Sequence, residues 1–281
     1  MVILEGDFVI IKTKSGQSTI TQISHTEEFI ASKYKLKIPL ISLIGLQYNT
    51  WYTISNNLSI TKEEQAIEET DGWENKNIHT QRKYKLKKIN KSLKSIYIEA
   101  LSPYTLLTHY RLKWPRKLCW LGLSELAFIS GMLESGRTIL LLDDVKNVFL
   151  YTILYKMCGD VDLTVIKKRH DNNRTGYLKG KYAQIVIGDT VDRFFDLGFF
   201  LGGCGLEHIK LYDKCVDKIV VYCWLREHAN EIYKYLILND KFKEVQMVSF
   251  MNREYQIEEN IHPIVRGDLG SGYIITGLRI K

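Results

Sequence analysis

The first sixty residues alternate apolar and polar positions with the two-residue period of β-strands. Two such runs, 7–12 and 18–23, flank a turn-forming cluster at 14–17, so they predict a hairpin. Further runs with strand character are 29–38 and 50–60. A small set of short strands usually closes as a barrel or a sandwich. We therefore predict a small, barrel-like β domain over residues 1–62.

Apolar periodicity is lost after residue 62, where acidic side chains accumulate and lysines follow. The acidic residues are Glu63, Glu64, Glu68, Glu69, Asp71 and Glu74. Such a charged, solvated stretch is typical of a linker between domains. We predict an acidic and then basic linker over residues 63–100, followed by a second domain over 101–281.

The second domain alternates helix-like and strand-like segments, as a parallel sheet with helical crossovers requires. Helical spacing covers 103–110, 121–133 and 145–157, and short apolar runs predict buried strands at 138–142, 161–166, 183–187 and 218–223. The segments 244–257 and 272–280 predict an antiparallel pair at one edge of the sheet. The fold class is therefore mixed α+β and α/β. We predict a Rossmann-type, methyltransferase-like doubly wound sheet with a C-terminal antiparallel hairpin.

Composition adds exclusions to this picture. The chain is 45% hydrophobic and 25% charged, which excludes collagen-like sequence and wholesale disorder. The longest apolar run, 118–133, is too short to span a membrane and carries Glu125. The five cysteines lie mostly in apolar runs, with neither a Cys-x-x-Cys pair nor a histidine at ligand spacing. We expect core thiols, a reducing intracellular compartment and no metal site.

The turn after the first strand of the second domain lacks the chemistry of a cofactor site. Cofactor-binding sheets of this class place glycines there, because Cβ atoms would block the cofactor's approach to the backbone. Here residues 143–147 read Asp-Asp-Val-Lys-Asn, and the next glycine is Gly159. After the second strand, where an acid would bind ribose hydroxyls, residues 167–170 are basic. We predict no cofactor-binding residues; the alternative is a divergent loop that binds cofactor by another route.

Other signals of catalysis are equally weak. The seven histidines are scattered, and no Gly-x-Ser-x-Gly elbow, His-Glu-x-x-His motif or Walker motif occurs. The glycine-rich run 202–205 is interpreted as a flexible loop, with a phosphate cradle as the alternative. The sequence therefore predicts no catalytic residues.

Positive charge is concentrated in one segment. Between His79 and Lys117 there are eleven Lys and Arg residues against Glu99 alone, a net charge of +10, whereas the whole chain carries +7. Such a field favours a polyanionic partner, because cations at phosphates release condensed counterions. Aromatic residues that could stack on unpaired bases lie among the charges, namely Tyr84, Tyr97, Tyr104, Tyr110 and Trp114. The alternative is a lysine-rich solvated helix face.

The motifs along the chain resemble one family, the non-catalytic subunit of the eukaryotic tRNA adenine-58 N1-methyltransferase. The resemblance begins at residues 6–10, strengthens in the lysine run 83–88, and is most specific near the C terminus. There, Arg253-Glu254-Tyr255-Gln256-Ile257, His262-Pro263 and the run 270–277 are similar to three family motifs.

This resemblance implies a partner-dependent role. It implies that the chain binds tRNA and pairs with a catalytic subunit that holds S-adenosylmethionine, in a heterotetramer of two plus two. It also implies a nuclear location, with no membrane and no metal involved.

The family's tRNA contacts can be carried over to three groups of residues. The implied contacts are Arg82, Lys83, Lys85, Lys87 and Lys88; Tyr110, Arg111, Lys113, Arg116 and Lys117; and Arg253, Tyr255, His262, Gly270, Ser271 and Gly272. Without the resemblance, residues 262–263 would be read as a simple turn and 270–272 as a hairpin connection. The preferred hypothesis is a tRNA-binding subunit without catalysis. The alternatives are a self-sufficient S-adenosylmethionine-dependent RNA methyltransferase with a divergent cofactor loop and a scaffold for protein partners.

Overall fold

The structure is a computed structural model in which two compact units, Met1–Leu101 and Ser102–Lys281, are each described by themselves. The described residues are 1–31, 36–55, 58–62, 77, 95–157, 161–167, 183–187, 191–202, 206–250, 255–257, 261–263 and 272–280.

The described residues of the first unit form seven strands. They are β1 (Phe8–Thr13), β2 (Ser18–Gln22), β3 (Glu28–Ala31), β4 (Leu36–Pro39), β5 (Thr50–Ile54), β6 (Ile60–Lys62) and β7 (Ser95–Ala100). Five of them form an antiparallel sheet in the order β2-β1-β7-β5-β6, and β3 and β4 form a separate hairpin. Barrel-like closure is not confirmed, because none of the ladders between described residues joins β2 to β6.

The alternation of apolar residues explains the core of this unit. Val9 and Ile11 on β1 point to the same face as Ile96 and Ile98 on β7, and all four are buried in one cluster with Tyr52. This pattern confirms the period-two interpretation of the N-terminal sequence.

Three sequence predictions for this unit need correction. The predicted strand 29–38 is the hairpin of β3 and β4, in which Phe29 pairs with Ile38. The predicted strand 50–60 is the hairpin of β5 and β6, closed by the Ser55 and Ser59 side chains. Ser95–Ala100 was assigned to the linker but forms β7, because its apolar residues complete the sheet between β1 and β5. Residues 63–94 of the predicted linker, except Asn77, lie outside the described residues.

The second unit contains a seven-stranded sheet in the order β10-β9-β8-β11-β12-β16-β13. Its strands are β8 (Thr138–Asp143), β9 (Asp162–Lys167), β10 (Ala183–Ile187), β11 (Phe195–Gly202), β12 (Cys215–Cys223), β13 (Phe242–Ser249) and β16 (Tyr273–Arg279). A two-stranded sheet of β14 (Tyr255–Ile257) and β15 (Ile261–Pro263) lies between β13 and β16 in sequence. The helices are α1 (Pro103–Lys113), α2 (Leu123–Gly131), α3 (Val148–Lys156), α4 (Ile209–Tyr212) and α5 (Arg226–Leu238).

The strand directions confirm the predicted doubly wound sheet with an antiparallel C-terminal pair. Strands β8 to β12 are parallel, and β16 runs antiparallel between β12 and β13. The pair predicted at the edge is therefore β13 with β16, of which β13 is the outermost strand. Strand β11 was not predicted, because its glycines and the charged residues before it obscure the apolar run.

Among the described residues, none of the helices is long and apolar enough to cross a lipid bilayer. In that same part of the chain, no group of three or more His, Cys, Asp or Glu side chains is arranged to hold a metal ion. Three of the five cysteines are described and are free thiols; Cys215 and Cys223 are buried, and Cys119 is partly exposed.

Candidate nucleic-acid interface

The edge of the second sheet where the parallel strands end is the usual ligand-binding edge of this architecture. Strand β8 ends there at Asp143 and β11 at Gly202. The Asp144 N–H donates to the Leu201 carbonyl at 2.9 Å, which extends the contact between these two strands past the β8 ladder. The turn that follows β8 is therefore held against β11.

The carboxylate of Asp143 binds the start of helix α3. Its Oδ1 accepts the Val145 N–H at 2.9 Å, and its Oδ2 accepts the Leu150 N–H at 2.8 Å. Free N–H groups at a helix N terminus are the donors that such a sheet offers to an anionic ligand. Here the Asp143 side chain accepts two such hydrogen bonds, one from the turn at Val145 and one from the first turn of helix α3 at Leu150. Burial raises the pKa of Asp143 to about 6, and the backbone hydrogen bonds oppose that rise.

The backbone of this turn has the left-handed conformation that glycine usually adopts, although the turn contains no glycine. Lys146 and Asn147 both have left-handed conformations, with φ of 59° and 55°. Asparagine tolerates this region, whereas a lysine there costs about 1 kcal/mol. Val145 is fully buried, and Lys146 and Asn147 are partly buried. The turn therefore carries side chains at the positions where cofactor-binding turns of this class have glycine.

The close approach at this edge is made by Gly202 instead. Gly202 has φ of +112°, and a Cβ atom built on it would lie 2.8 Å from the Asp144 Cβ. Its missing side chain makes room for Asp144. Of the predicted glycine-rich loop, residues 203–205 lie outside the described residues, as do Lys168 to His170 of the basic run after β9.

The described part of the predicted basic segment is helix α1 and the 3-10 turn that follows it. Helix α1 starts with a capping box: the Ser102 Oγ accepts the Thr105 N–H at 3.2 Å, and the Thr105 Oγ1 accepts the Ser102 N–H at 2.8 Å. Pro103 occupies the first helical turn, and the helix ends before Pro115, which starts the 3-10 turn Pro115–Leu118.

Aromatic and cationic side chains meet where this helix and turn join. The Tyr110 and Trp114 ring centroids lie 5.8 Å apart. The Lys113 and Lys117 Nζ atoms lie 5.6 and 5.8 Å from the Trp114 ring. Arg116 is exposed, and Arg111 is partly exposed. Three of the five predicted contacts of this segment, Tyr110, Lys113 and Lys117, therefore surround Trp114, which was not among them.

A buried tyrosine connects this turn to the C-terminal glycine segment. The Tyr222 hydroxyl donates to the Cys119 carbonyl at 2.8 Å and accepts the backbone N–H of Gly272. A Cβ atom on Gly272 would lie 2.5 Å from the Tyr222 ring, so only glycine fits there. Burial raises the pKa of Tyr222 above its ordinary value. The Tyr222 hydroxyl therefore connects the turn that contains Cys119 with Gly272, two positions that are distant in sequence.

The remaining predicted contacts are described in part or not at all. Tyr255 lies on β14 opposite Pro263, and His262 lies on β15 opposite Gln256, with only their backbone described. The others lie outside the described residues: Arg82, Lys83, Lys85, Lys87, Lys88, Arg253, Gly270 and Ser271.

Sequence reasoning missed two residues that shape this edge. Asp143 was noted only as a residue that is not glycine, although aspartate commonly accepts the backbone N–H two residues further along its own chain. Tyr222 lies in an apolar strand, and its hydroxyl was the one local sign of a buried polar contact. Neither contact could be assigned before the strands were placed side by side.

Residues 60–190, somewhat under half of the chain, match the Gcd10p family. No curated protein matches the chain in sequence.

Two solved structures share the fold. One is an S-adenosylmethionine-dependent O-methyltransferase from Thermotoga maritima, with a TM-score of 0.64 and 14% identity, over 100% of this chain and 95% of that chain. The other is the tRNA (m1A58) methyltransferase TrmI from Aquifex aeolicus, with a TM-score of 0.58 and 12% identity, over 100% of both chains. At these identities the similarity shows a common methyltransferase fold. The match over residues 60–190 confirms the resemblance to this family seen in the sequence, and the solved structures confirm the methyltransferase fold.

Proposed function

We propose that this chain is the non-catalytic, tRNA-binding subunit of a tRNA adenine-58 N1-methyltransferase complex. The observation that carries the proposal is the turn after β8, where the Asp143 carboxylate binds the N–H groups of Val145 and Leu150. A methyltransferase fold whose cofactor turn is occupied by its own side chains supplies binding surface rather than a methyl donor.

The proposed role follows from the chemistry of the substrate. An adenine inside folded tRNA must be unstacked before its N1 can be methylated, at a cost of a few kcal/mol. A wide cationic grip offsets that cost, and the surface around Trp114 contributes Lys113, Arg116 and Lys117 to it. We propose that S-adenosylmethionine binds on a catalytic partner, that the complex contains two copies of each subunit, and that it acts in the nucleus.

Calorimetry with S-adenosylmethionine on the isolated full-length chain tests the proposal. We expect no binding heat at ligand concentrations well above the micromolar range in which enzymes commonly bind their substrates. A methyltransferase of the same fold serves as the positive control. Micromolar binding by the isolated chain would contradict the proposal and favour the self-sufficient RNA methyltransferase.

A salt titration of tRNA binding separates the proposal from a protein scaffold. Phosphate contacts make the logarithm of the affinity fall linearly with the logarithm of the salt concentration. We expect such a slope for this chain, because its basic segment has no acidic residue between Glu99 and Glu125. A scaffold for protein partners has no salt-dependent RNA affinity.

A further inference from the structure

Trp114 is exposed among the cations Lys113, Arg116 and Lys117 at the end of helix α1 and in the 3-10 turn after it, which together are called the basic surface. Trp114 is 43% exposed, although the indole is the largest apolar side chain available to a core. Two lysine ammonium groups lie within 6 Å of its ring, and Tyr110 packs beside it. An aromatic ring kept at the surface among cations is suited to a partner that has both a π-face and negative charge.

The position of Trp114 is fixed by its backbone. Its N–H donates to the Tyr110 carbonyl at 2.7 Å, and its carbonyl accepts the Lys117 N–H at 2.9 Å. Trp114 also precedes Pro115, and a proline restricts the backbone conformation of the residue before it. The turn beyond it is held at Cys119 by the Tyr222 hydroxyl. Because the indole is presented on a rigid turn, little conformational entropy is lost when a ligand binds to it.

A second lysine–aromatic pair in the same unit shows what is specific about this one. Phe194 is 61% exposed, and the Lys214 Nζ lies 5.0 Å from its ring. That pair lies at the amino end of β11, where the acids Asp192, Asp196 and Asp213 accompany it in sequence. The two pairs share ring and ammonium chemistry, but the charged residues near Trp114 in sequence are all cations, whereas acids lie near Phe194 and Lys214.

We propose that Trp114 is a stacking platform for one unpaired base of the bound RNA, with Lys113, Arg116 and Lys117 at the adjoining phosphates. This inference rests on the proposed function and adds the kind of RNA element that the surface recognises. In a duplex the bases are stacked on each other and only phosphates and sugar edges face a protein, whereas an unpaired base can lie on an aromatic ring. The Trp114 surface therefore distinguishes loop RNA from duplex RNA.

The test compares two RNAs and two substitutions in the full-length chain. The RNAs are a hairpin with an unpaired loop and a blunt duplex of the same sequence. We expect Trp114→Ala to weaken hairpin binding about five- to a hundredfold, the range of one lost base stack, and to change duplex binding less than about twofold. Trp114→Phe keeps an aromatic face, so it should retain most of the hairpin affinity.

Two further variants serve as controls. Phe194→Ala removes an exposed ring beneath a lysine at the other edge of the sheet and should leave both affinities unchanged. Arg116→Glu with Lys117→Glu should weaken hairpin and duplex alike, because phosphate contacts do not depend on base pairing.

The outcomes separate this inference from the proposed function. Unchanged hairpin affinity in Trp114→Ala, or equal losses on hairpin and duplex, overturns the stacking inference alone. A wild-type chain without salt-dependent RNA affinity overturns the proposed function and the inference with it. Thermal unfolding of each variant shows whether a loss of affinity arises from unfolding.

Discussion

Asp143 connects the end of a strand to the start of the helix that follows it. Its carboxylate spans the end of β8 and the start of α3 through two backbone hydrogen bonds. The same carboxylate is partly buried, and burial is the larger effect on its pKa, which lies near 6 rather than at its ordinary value of 3.8. Burial of this carboxylate therefore also makes the stability of the folded chain depend on pH.

We predict that Asp143→Asn removes part of the pH dependence of stability. Between pH 4 and pH 6 the folded chain holds this proton more tightly than the unfolded chain, so the free energy of unfolding falls as pH rises. The fall attributable to this group is on the order of 2 kcal/mol. Urea unfolding of both proteins at a series of pH values measures it. Parallel stability curves for wild type and variant would contradict the assignment.

We predict that Gly202→Ala destabilises the second unit by about 1–3 kcal/mol. The new Cβ atom would lie 2.8 Å from the Asp144 Cβ, and φ of +112° is unfavourable for any side chain. Gly131→Ala is the matched control, because nothing lies within 4 Å of its Cβ position and its φ is ordinary. Equal midpoints of denaturation for the two variants would show that the Gly202 contact is unimportant.

At the scale of elements, the basic surface depends on how three segments are joined. The capped helix α1 ends at Lys113, the 3-10 turn follows, and β12 holds that turn through Tyr222. The same phenol contacts Gly272 just before β16. The sheet order that places β16 next to β12 thus also places Gly272 beside Tyr222 and the turn that Tyr222 holds.

We predict that Tyr222→Phe costs about 1–3 kcal/mol of stability, because it leaves the Cys119 carbonyl and the Gly272 N–H without this partner. It should also lower hairpin affinity without changing the slope of affinity against salt, since no cation is removed. Combining it with Gly272→Ala tests the coupling of the two segments. Additive losses of stability in the double variant would show that the two positions are independent.

At the scale of the whole molecule, the positive charge is concentrated in one segment of the chain. The segment from His79 to Lys117 carries a net charge of +10, so the rest of the chain has a net charge of −3. The second unit has the methyltransferase fold, and at its ligand-binding edge Asp143 binds the start of helix α3. In the proposed function, the positive charge attracts tRNA and a catalytic partner supplies the methyl group.

We predict that changing Lys85, Lys87 and Lys88 together to Glu lowers tRNA affinity and makes it less dependent on salt. Each lost phosphate contact reduces the slope of affinity against salt by about one. Substitutions at surface positions commonly change stability by less than about 0.5 kcal/mol each, and thermal unfolding of the triple variant checks that the fold remains intact. Unchanged affinity across a salt titration would show that these lysines do not contact tRNA.

The fold could be predicted as far as local pattern determines it. The apolar runs 138–142, 161–166 and 183–187 became strands, and the alternation with helices indicated a parallel sheet. The runs 29–38 and 50–60 were each interpreted as one strand, because hydrophobic period does not show where a chain reverses. Strand β7 was assigned to the linker, because its alternation is short and follows a long polar segment.

The candidate site could be predicted where it is local in sequence and not where it is assembled. Tyr110 and Trp114 lie four residues apart at the end of one helix. Side chains with this spacing share one helix face, so their contact could be predicted from the sequence. The absence of glycine after β8 was also evident from the sequence. The hydrogen bonds of Asp143 in this turn were not evident, because the N–H groups of Val145 and Leu150 face its carboxylate only once the helix has formed.

By itself, the sequence determined the class of the fold, the charge concentrated before residue 118 and the family resemblance, since each depends on residue type and spacing alone. Only the tertiary structure decided that Tyr222 joins residues 119 and 272, that Gly202 makes room for Asp144, and that Trp114 stays at the surface. Those contacts join residues up to about 150 positions apart. They depend on strand order, and strand order follows from how the whole sheet buries its apolar faces.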